Sequence, residues 1–367
     1  MKVLQVTNVD FSLRHFLLPL MRGAQARGHE VVGVSADGPL LADVRAEGLR
    51  VEALPMARSL SPTAQWRALR ALIKLIRSEQ PDVVHAHMPI SGFLARLAAR
   101  LCGVPHIAYT CHGFLFNQPG PAWRRTLGFL IEWMGGRLTR TYLTVSTEEA
   151  AMARRLHIHA AAIGTGNGRD PLRFRPNPAN RSRVRAGLGV SDTVVAIVIV
   201  SRLVRHKGYP DLLAAMRHVP GAELWVVGER LASDHGDDME PYFNAANLGP
   251  RLRRLGYRAD VADILAAADI FVLPSEFEGL PMSVIEAMLT GLPVVATNIS
   301  GPREQVVDGQ SGLLVPLHDV MALAAALRRL VADAGLRASM GACGRARAVA
   351  LYDESTVVAK TLDLLGL

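Results

Sequence analysis

Two carboxylates, Glu278 and Glu286, stand eight residues apart in the stretch PSEFEGLPMSVIEAMLTG at positions 274–291. Carboxylates accept hydrogen bonds from pairs of hydroxyls, so two such acids suit a polyhydroxylated ligand. Ser283-x-x-Glu286 also reads as a capping box, which leaves Glu286 open to a purely structural role. Arg202 and Lys207 bracket the segment RLVRHK. A planar guanidinium fork and a compact ammonium charge together suit a diphosphate, although either residue alone would be an ordinary surface cation. His112 lies in CHGF, where Gly113 lets the backbone approach a ligand closely.

These residues need elements that bring them to one edge of a sheet. ADIFVLP, ahead of Glu278, reads as a buried strand running into a Gly/Pro-rich loop. Glu286 falls on a short helix that Ser283 can cap and Gly291 can end. VAIVIV, ahead of Arg202, reads as a second buried strand, and Lys207-Gly208 opens the helix after it. The positive end of that helix favours an anion. Ligands of open parallel α/β sheets bind at the carboxyl ends of strands, which is where both acids and both cations fall.

The first half alternates in the same way. A strand at 2–7, a loop (NVDFS), a helix at 13–27, the strand HEVVGVSA, a helix at 40–47 and the strand LRVEALP give βαβαβ, hence a Rossmann-like sheet. No G-x-G-x-x-G follows the first strand, which disfavours a nicotinamide or flavin dinucleotide. A helix at 65–80 sets Leu69, Leu72, Ile73 and Ile76 on one face and Arg67, Arg70, Lys74 and Arg77 on its flank. It reads as a surface helix packed on the sheet, with contact to anionic lipid as the alternative. His85 and His87 share one face of PDVVHAHMP. Two histidines without a third ligand make a weak metal site, so a structural or cleft-lining role is expected. The stretch 121–140 mixes Trp123, Phe129 and Trp133 with Arg124, Arg125, Arg137 and Arg140. That mixture suits a membrane interface, while core packing of the aromatics is the plainer expectation. From 164 onward, GTGNGRDPLRFRPNPANRSR breaks the period and reads as a crossing between domains. The alternation then resumes. The expected organisation is therefore two Rossmann-like domains, residues 1–175 and 176–352, and a terminal helix at 353–367.

Half of the 367 residues are apolar, enough for large cores. The net charge of +8 fits nucleic acid, an anionic membrane surface or a phosphorylated substrate. The positive charge is scattered and no recognition motif appears, which disfavours nucleic acid. Three cysteines, odd in number and far apart, fit free thiols in a reducing compartment. The first residues do not read as a signal peptide, and no run nears 18 apolar residues. A cytoplasmic protein, soluble or peripheral, is expected.

The motifs together carry a family likeness. R-L-x-x-x-K-G after a buried strand, PS-x-x-EG-x-P with E-x7-E, GLPVVAT, RGHEV, PDVVHAH, the T-x-H-G-F turn and the G-x-N/G-x-D linker resemble glycosyltransferase family 4. These are retaining, nucleotide-sugar-dependent enzymes of GT-B fold, an α/β architecture of two Rossmann-like domains facing a cleft. TCHGFLF and the segment from 61 to 87 look like the branch that extends polyprenyl-diphosphate-linked saccharides for surface polysaccharides. The resemblance implies an acceptor-binding first domain, a donor-binding second domain and a terminal helix that crosses back to the first. Arg202 and Lys207 would bind the donor diphosphate. Glu286 would hold the ribose, and Glu278 the transferred sugar. Backbone at Gly279, Leu280 and Pro281 would touch sugar and phosphate, His112 the sugar's 6-hydroxyl region, and Arg258 would lie by the nucleobase. A UDP-sugar donor is favoured over a GDP-sugar, with a hexosyl or N-acetylhexosaminyl group transferred and no metal needed. The partners implied are a lipid-linked saccharide and the anionic inner face of the cytoplasmic membrane. Many members carry a Gly-Gly pair after the first strand. Here Asn8-Val9-Asp10-Phe11-Ser12 stands there, and Ser12 would take over the phosphate contact. The alternatives are another GT-B enzyme with a soluble acceptor, of sugar-phosphate synthase or epimerase type, and a non-enzymatic anion- or nucleic-acid-binding protein.

Overall fold

Short apolar runs bounded by turn residues fold as strands buried on both faces, and the helices between them keep every strand parallel. The computed structural model describes residues 1–56, 61–230 and 237–367. Two units emerge, Met1–Gly166 with Ser355–Leu367, and Asn167–Glu354.

In the first unit the strands are β1 (Lys2–Val6), β2 (Glu30–Ser35), β3 (Arg50–Ala53), β4 (Val83–His87), β5 (His106–Cys111), β6 (Thr141–Thr144) and β7 (Ile163–Gly164). They form a parallel sheet in the order β3-β2-β1-β4-β5-β6-β7. Alternation splits the core: Leu4, Val6, Val84 and Tyr109 pack with Leu69, Leu72 and Ala95 on one side. Val3, Val31 and Val83 pack on the other with Met21, Leu362 and Leu365. The terminal helix Glu354–Leu365 thus completes this unit, tied also by Lys360 Nζ donating to the Gly164 carbonyl at 2.8 Å. Deep in the first core the fully buried Glu132 accepts from the hydroxyls of Tyr109 (2.8 Å) and Tyr142 (2.9 Å) beside the fully buried Arg96.

The second unit holds β8 (Val195–Val200), β9 (Ala222–Val227), β10 (Leu252–Gly256), β11 (Ile270–Leu273), β12 (Val294–Thr297) and β13 (Gly312–Val315). Their order is β10-β9-β8-β11-β12-β13, again parallel.

Several expectations change. The first helix starts at Asp10, inside the expected loop, and passes through a π-helical stretch at Leu13–Leu17 before Leu18–Ala26. The Asp10 carboxylate accepts from the amides of Phe11 (2.8 Å) and Leu40 (3.1 Å), anchoring that start. The expected crossing contains a helix, Pro178–Leu188. Asn177 caps it by accepting from the Asn180 amide at 3.1 Å, Pro178 opens it, and left-handed Gly189 ends it. Edge strand β10 is additional too. Trp123 lies outside the core, 62% exposed on the helix Ala122–Arg137.

Candidate active site

Strand order dictates where chemistry can sit. In the second unit β8 lies between β9 and β11, so the chain winds outward one way, returns, and winds the other way. The carboxyl ends of β8 and β11 therefore flank the switch point, the position at which open α/β sheets bind ligands. The loops leaving those ends carry Arg202 and Lys207 after β8, and Glu278 after β11.

The two loops are joined tightly. Lys207 closes a single turn, Arg205–Lys207, and Gly208 follows with φ 78°. A Cβ at Gly208 would collide with the Pro274 carbonyl, so close approach and positive φ both demand glycine. The Glu276 amide donates to the His206 carbonyl at 2.8 Å. Lys207 Nζ then donates to Glu278 Oε1 at 2.7 Å, and the Ser275 hydroxyl donates to the same oxygen at 2.7 Å. Glu278 is 8% exposed and Lys207 17%, so the carboxylate is compensated within the protein and not by bulk water. Ser275 is in turn fixed by Thr297, whose hydroxyl donates to its carbonyl at 2.5 Å. Spacing alone does not mark Ser275 as part of this cluster.

The other expected residues distribute around it. Arg202 leaves β8 exposed, in the same loop as Lys207. Gly279, Leu280 and Pro281 are buried, with the Leu280 carbonyl accepting from Asn167 (2.7 Å) and the Pro281 carbonyl from Gln305 (2.9 Å). Arg258 follows β10 and pairs with both oxygens of Asp260 at 2.7 Å, which holds the Asp260 carboxyl below its usual range. The structure thus joins Lys207, Glu278 and Ser275 by direct contact and gives Arg258 a different partner.

The capping-box reading of Glu286 is overturned. The helix runs Met282–Leu289 with Pro281 as its N-cap, φ −64°, and no side-chain cap. Ser283 lies inside the first turn and cannot cap it. Gly291, with φ 83°, does end the helix. Glu286 sits mid-helix and accepts from Arg169 Nε at 2.7 Å, both side chains 13% exposed. Arg169 was not marked by any local pattern, because its partner is 117 residues away.

The first unit has its own switch point, between β1 and β4. Ser12, expected in a loop there, is buried in the first helical turn after β1. His87 ends β4 and His112 follows β5. His87 Nδ1 lies 3.0 Å from His112 Nε2, and His87 Nε2 lies 3.0 Å from Gln5 Oε1. With that amide oxygen as acceptor, His87 carries its proton on Nε2 and His112 donates from Nε2, leaving His112 Nδ1 as an acceptor. His85 Nε2 meets the Thr110 hydroxyl at 2.7 Å. Burial pushes His85 down to about 3, His112 to about 4 and His87 well below its ordinary value, so all three rings are neutral near pH 7.

Comparison with known proteins agrees with this geometry. Residues 13–165 match the model described as Glycosyl transferase 4-like domain, and residues 195–333 match Glycosyl transferases group 1. The chain is 30% identical over 309 residues to the UDP-Gal:alpha-D-GlcNAc-diphosphoundecaprenol alpha-1,3-galactosyltransferase of Escherichia coli, covering 81% of this chain and 78% of that one. The chain belongs to glycosyltransferase family 4. The glycosyltransferase is also 28% identical to the putative glycosyltransferase EpsD of Bacillus subtilis, over 97% of this chain and 94% of that one. Its fold is GT-B. Anabaena Alr3699/HepE, solved in complex with UDP and glucose, superposes with a TM-score of 0.85 at 20% identity, covering 100% of this chain and 99% of that chain. Other relatives are named for lipopolysaccharide core biosynthesis in Rhizobium meliloti and for capsular polysaccharide biosynthesis in Staphylococcus aureus.

Proposed function

We propose that this glycosyltransferase moves a hexosyl or N-acetylhexosaminyl group from a UDP-sugar, with a GDP-sugar as second candidate, to a polyprenyl-diphosphate-linked saccharide. The observation that carries the reading is the Lys207–Glu278–Ser275 cluster at the switch point of the second unit. Lys207, Arg202 and the adjacent helix start supply positive potential for a diphosphate and stabilise the leaving nucleoside diphosphate, work that a divalent cation would otherwise do, so no metal is required. Glu278 orients the transferred sugar through its hydroxyls, and backbone at Gly279–Pro281 flanks it. Glu286 holds the ribose, Arg258 lies by the base, and Ser12 lies by the phosphates. His112, neutral and with Nδ1 accepting, takes a hydrogen bond from a sugar hydroxyl. The first domain takes the acceptor and the second the donor.

Retention then follows a front-face route. The leaving phosphate oxygen deprotonates the acceptor hydroxyl while the sugar carries oxocarbenium-like charge. A carboxylate whose one oxygen already takes an ammonium and a hydroxyl is a poor nucleophile, which favours this route over a glycosyl–Glu278 intermediate.

The lipid acceptor is supported by the diphosphoundecaprenol-linked substrate for which the Escherichia coli relative is named and by two helix surfaces. Ala122–Arg137 exposes Trp123, Leu130 and Met134, and Pro62–Glu79 exposes Trp66 beside Arg67, Arg70, Lys74 and Arg77. Apolar and basic groups side by side suit peripheral docking on the anionic inner face of the cytoplasmic membrane. No helix among the described residues is long and apolar enough to cross a membrane.

The deciding assay offers the purified enzyme UDP- and GDP-sugars in EDTA, with either polyprenyl-diphosphate-linked GlcNAc or free sugar phosphates as acceptor. Transfer to the lipid-linked acceptor alone, with an α product by NMR, is expected. Exclusive transfer to a free sugar phosphate, or loss of activity in EDTA, would overturn the corresponding part.

A further inference from the structure

Arg169 is held at both ends. Its backbone amide donates to the Tyr352 carbonyl at 2.9 Å, and its carbonyl accepts from the Glu354 amide at 3.1 Å. It forms a parallel bridge with Asp353. These segments are where the chain enters and leaves the second unit. From that braced backbone the side chain reaches Glu286, with Nε to Oε1 at 2.7 Å. Two residues earlier Asn167 Nδ2 donates to the Leu280 carbonyl at 2.7 Å. The entering segment is therefore stitched to the EGLP loop and to the helix after it.

Glu286 has no helical reason to be charged. It lies in the middle of Met282–Leu289, away from the end where the dipole favours an acid, among Val284, Ile285, Ala287 and Met288, all buried. A carboxylate offers about four acceptor positions. Arg169 Nε uses one, leaving capacity on both oxygens for a pair of adjacent hydroxyls.

We propose that Arg169 is a positioning residue for the donor ribose: it fixes the rotamer of Glu286 so that the carboxylate meets the 2′- and 3′-hydroxyls already aimed. This rests on the reading that Glu286 holds the ribose. Pre-aiming one side chain removes an ordering cost that binding would otherwise bear.

The test is calorimetric titration with UDP and with 2′,3′-dideoxy-UDP on wild type, Arg169→Met, Arg169→Lys and Glu286→Gln, with GDP and its dideoxy analogue in parallel. Arg169→Met should weaken ribonucleotide binding roughly tenfold, the scale of one charge-assisted hydrogen bond. It should leave dideoxynucleotide binding within about twofold of wild type. Arg169→Lys, with a charge but no fork, should fall between; it also keeps the test alive if the Met variant folds poorly. Equal weakening of both nucleotides by either variant would make Arg169 merely structural and overturn the proposal. So would ribonucleotide affinity unchanged in Arg169→Met. If wild type itself failed to prefer ribose, and Glu286→Gln changed nothing, the ribose role of Glu286 would fall and this proposal with it. A wild type that prefers ribose beside an Arg169→Met variant that prefers it equally would refute Arg169 alone.

Discussion

Replacing Lys207 by Met keeps the aliphatic stem and removes the charge that compensates Glu278. The pair is 2.7 Å apart with side chains 17% and 8% exposed. Breaking a buried pair from one side costs about 3–5 kcal/mol. Here the Ser275 hydroxyl remains on Oε1, so the low end, about 3 kcal/mol, applies to Lys207→Met. Glu278→Gln should cost less, about 1–2 kcal/mol, because the stranded ammonium can turn toward water. The double variant strands neither charge. Its cost should fall short of the sum of the singles by about 2 kcal/mol, within the usual range for groups in contact.

Hydrogen exchange of the strand Ile270–Leu273 measures this, because it reports opening of the second unit and no other part of the chain. Nucleoside-diphosphate titration on the same four proteins separates the roles. Glu278→Gln should keep nucleotide affinity near wild type and lose turnover, while Lys207→Met should lose both. Additivity within about 0.5 kcal/mol would show that the two groups do not communicate. The contact would then be incidental, and its claim to organise the site would fail.

Two further outcomes are expected. His85 is fully buried with its pKa lowered to about 3, so unfolded chains take up a proton below about pH 6.5 that the folded form refuses. The stability it contributes is complete above that pH and lost as pH falls toward 3, by about 2 kcal/mol at pH 5; urea midpoints at pH 7.5 and 5 should show the loss, and His85→Asn should flatten it by about one proton. Gly208→Ala should weaken nucleotide binding and lower the melting temperature together, since a Cβ meets the Pro274 carbonyl at a positive φ; a melting temperature unchanged by calorimetry would refute the tight loop joint.

Glu278 and Lys207 were legible because each follows a buried strand at a distance that local rules can track. VAIVIV and ADIFVLP have no polar face, so their ends, and hence the loops at the switch point, are fixed by composition. What escaped lay beyond local reach. Arg169 and Glu286 are 117 residues apart, and no spacing rule joins them. Ser283-x-x-Glu286 matches a capping box because the pattern ignores Pro281, whose restricted φ places the helix start two residues earlier than a Ser283 cap would need. Strand β10 hid because it is an edge. Its Arg253 and Arg254 pair with Glu223 and Glu240, so half its side chains are charged. Core packing is the plainer expectation for the aromatics of 121–140, and Trp123 departs from it, since an aromatic beside arginines on one helix is equally compatible with an outward face.

The two units resemble each other in winding and differ in what their switch points carry. After β8 and β11 stand Arg202 and the mutually hydrogen-bonded Lys207, Glu278 and Ser275, so the second switch point carries charged groups. At the ends of β1, β4 and β5 the residues are Gln5, an uncharged amide, and His87 and His112, neutral at pH 7 because burial lowers their pKa. A neutral imidazole exchanges hydrogen bonds with hydroxyls but does little to offset a diphosphate. Under the proposed activity the phosphate charge therefore has to be met by the second unit, and the first is left to recognise hydroxyls. This division bears on His112. If the ring served as a cation toward phosphate, His87→Leu, which removes its neutral partner, should leave donor binding intact and raise activity at low pH. If it serves as a neutral acceptor held in one tautomer, the same change should lower kcat with little change in donor Kd across pH 6–8.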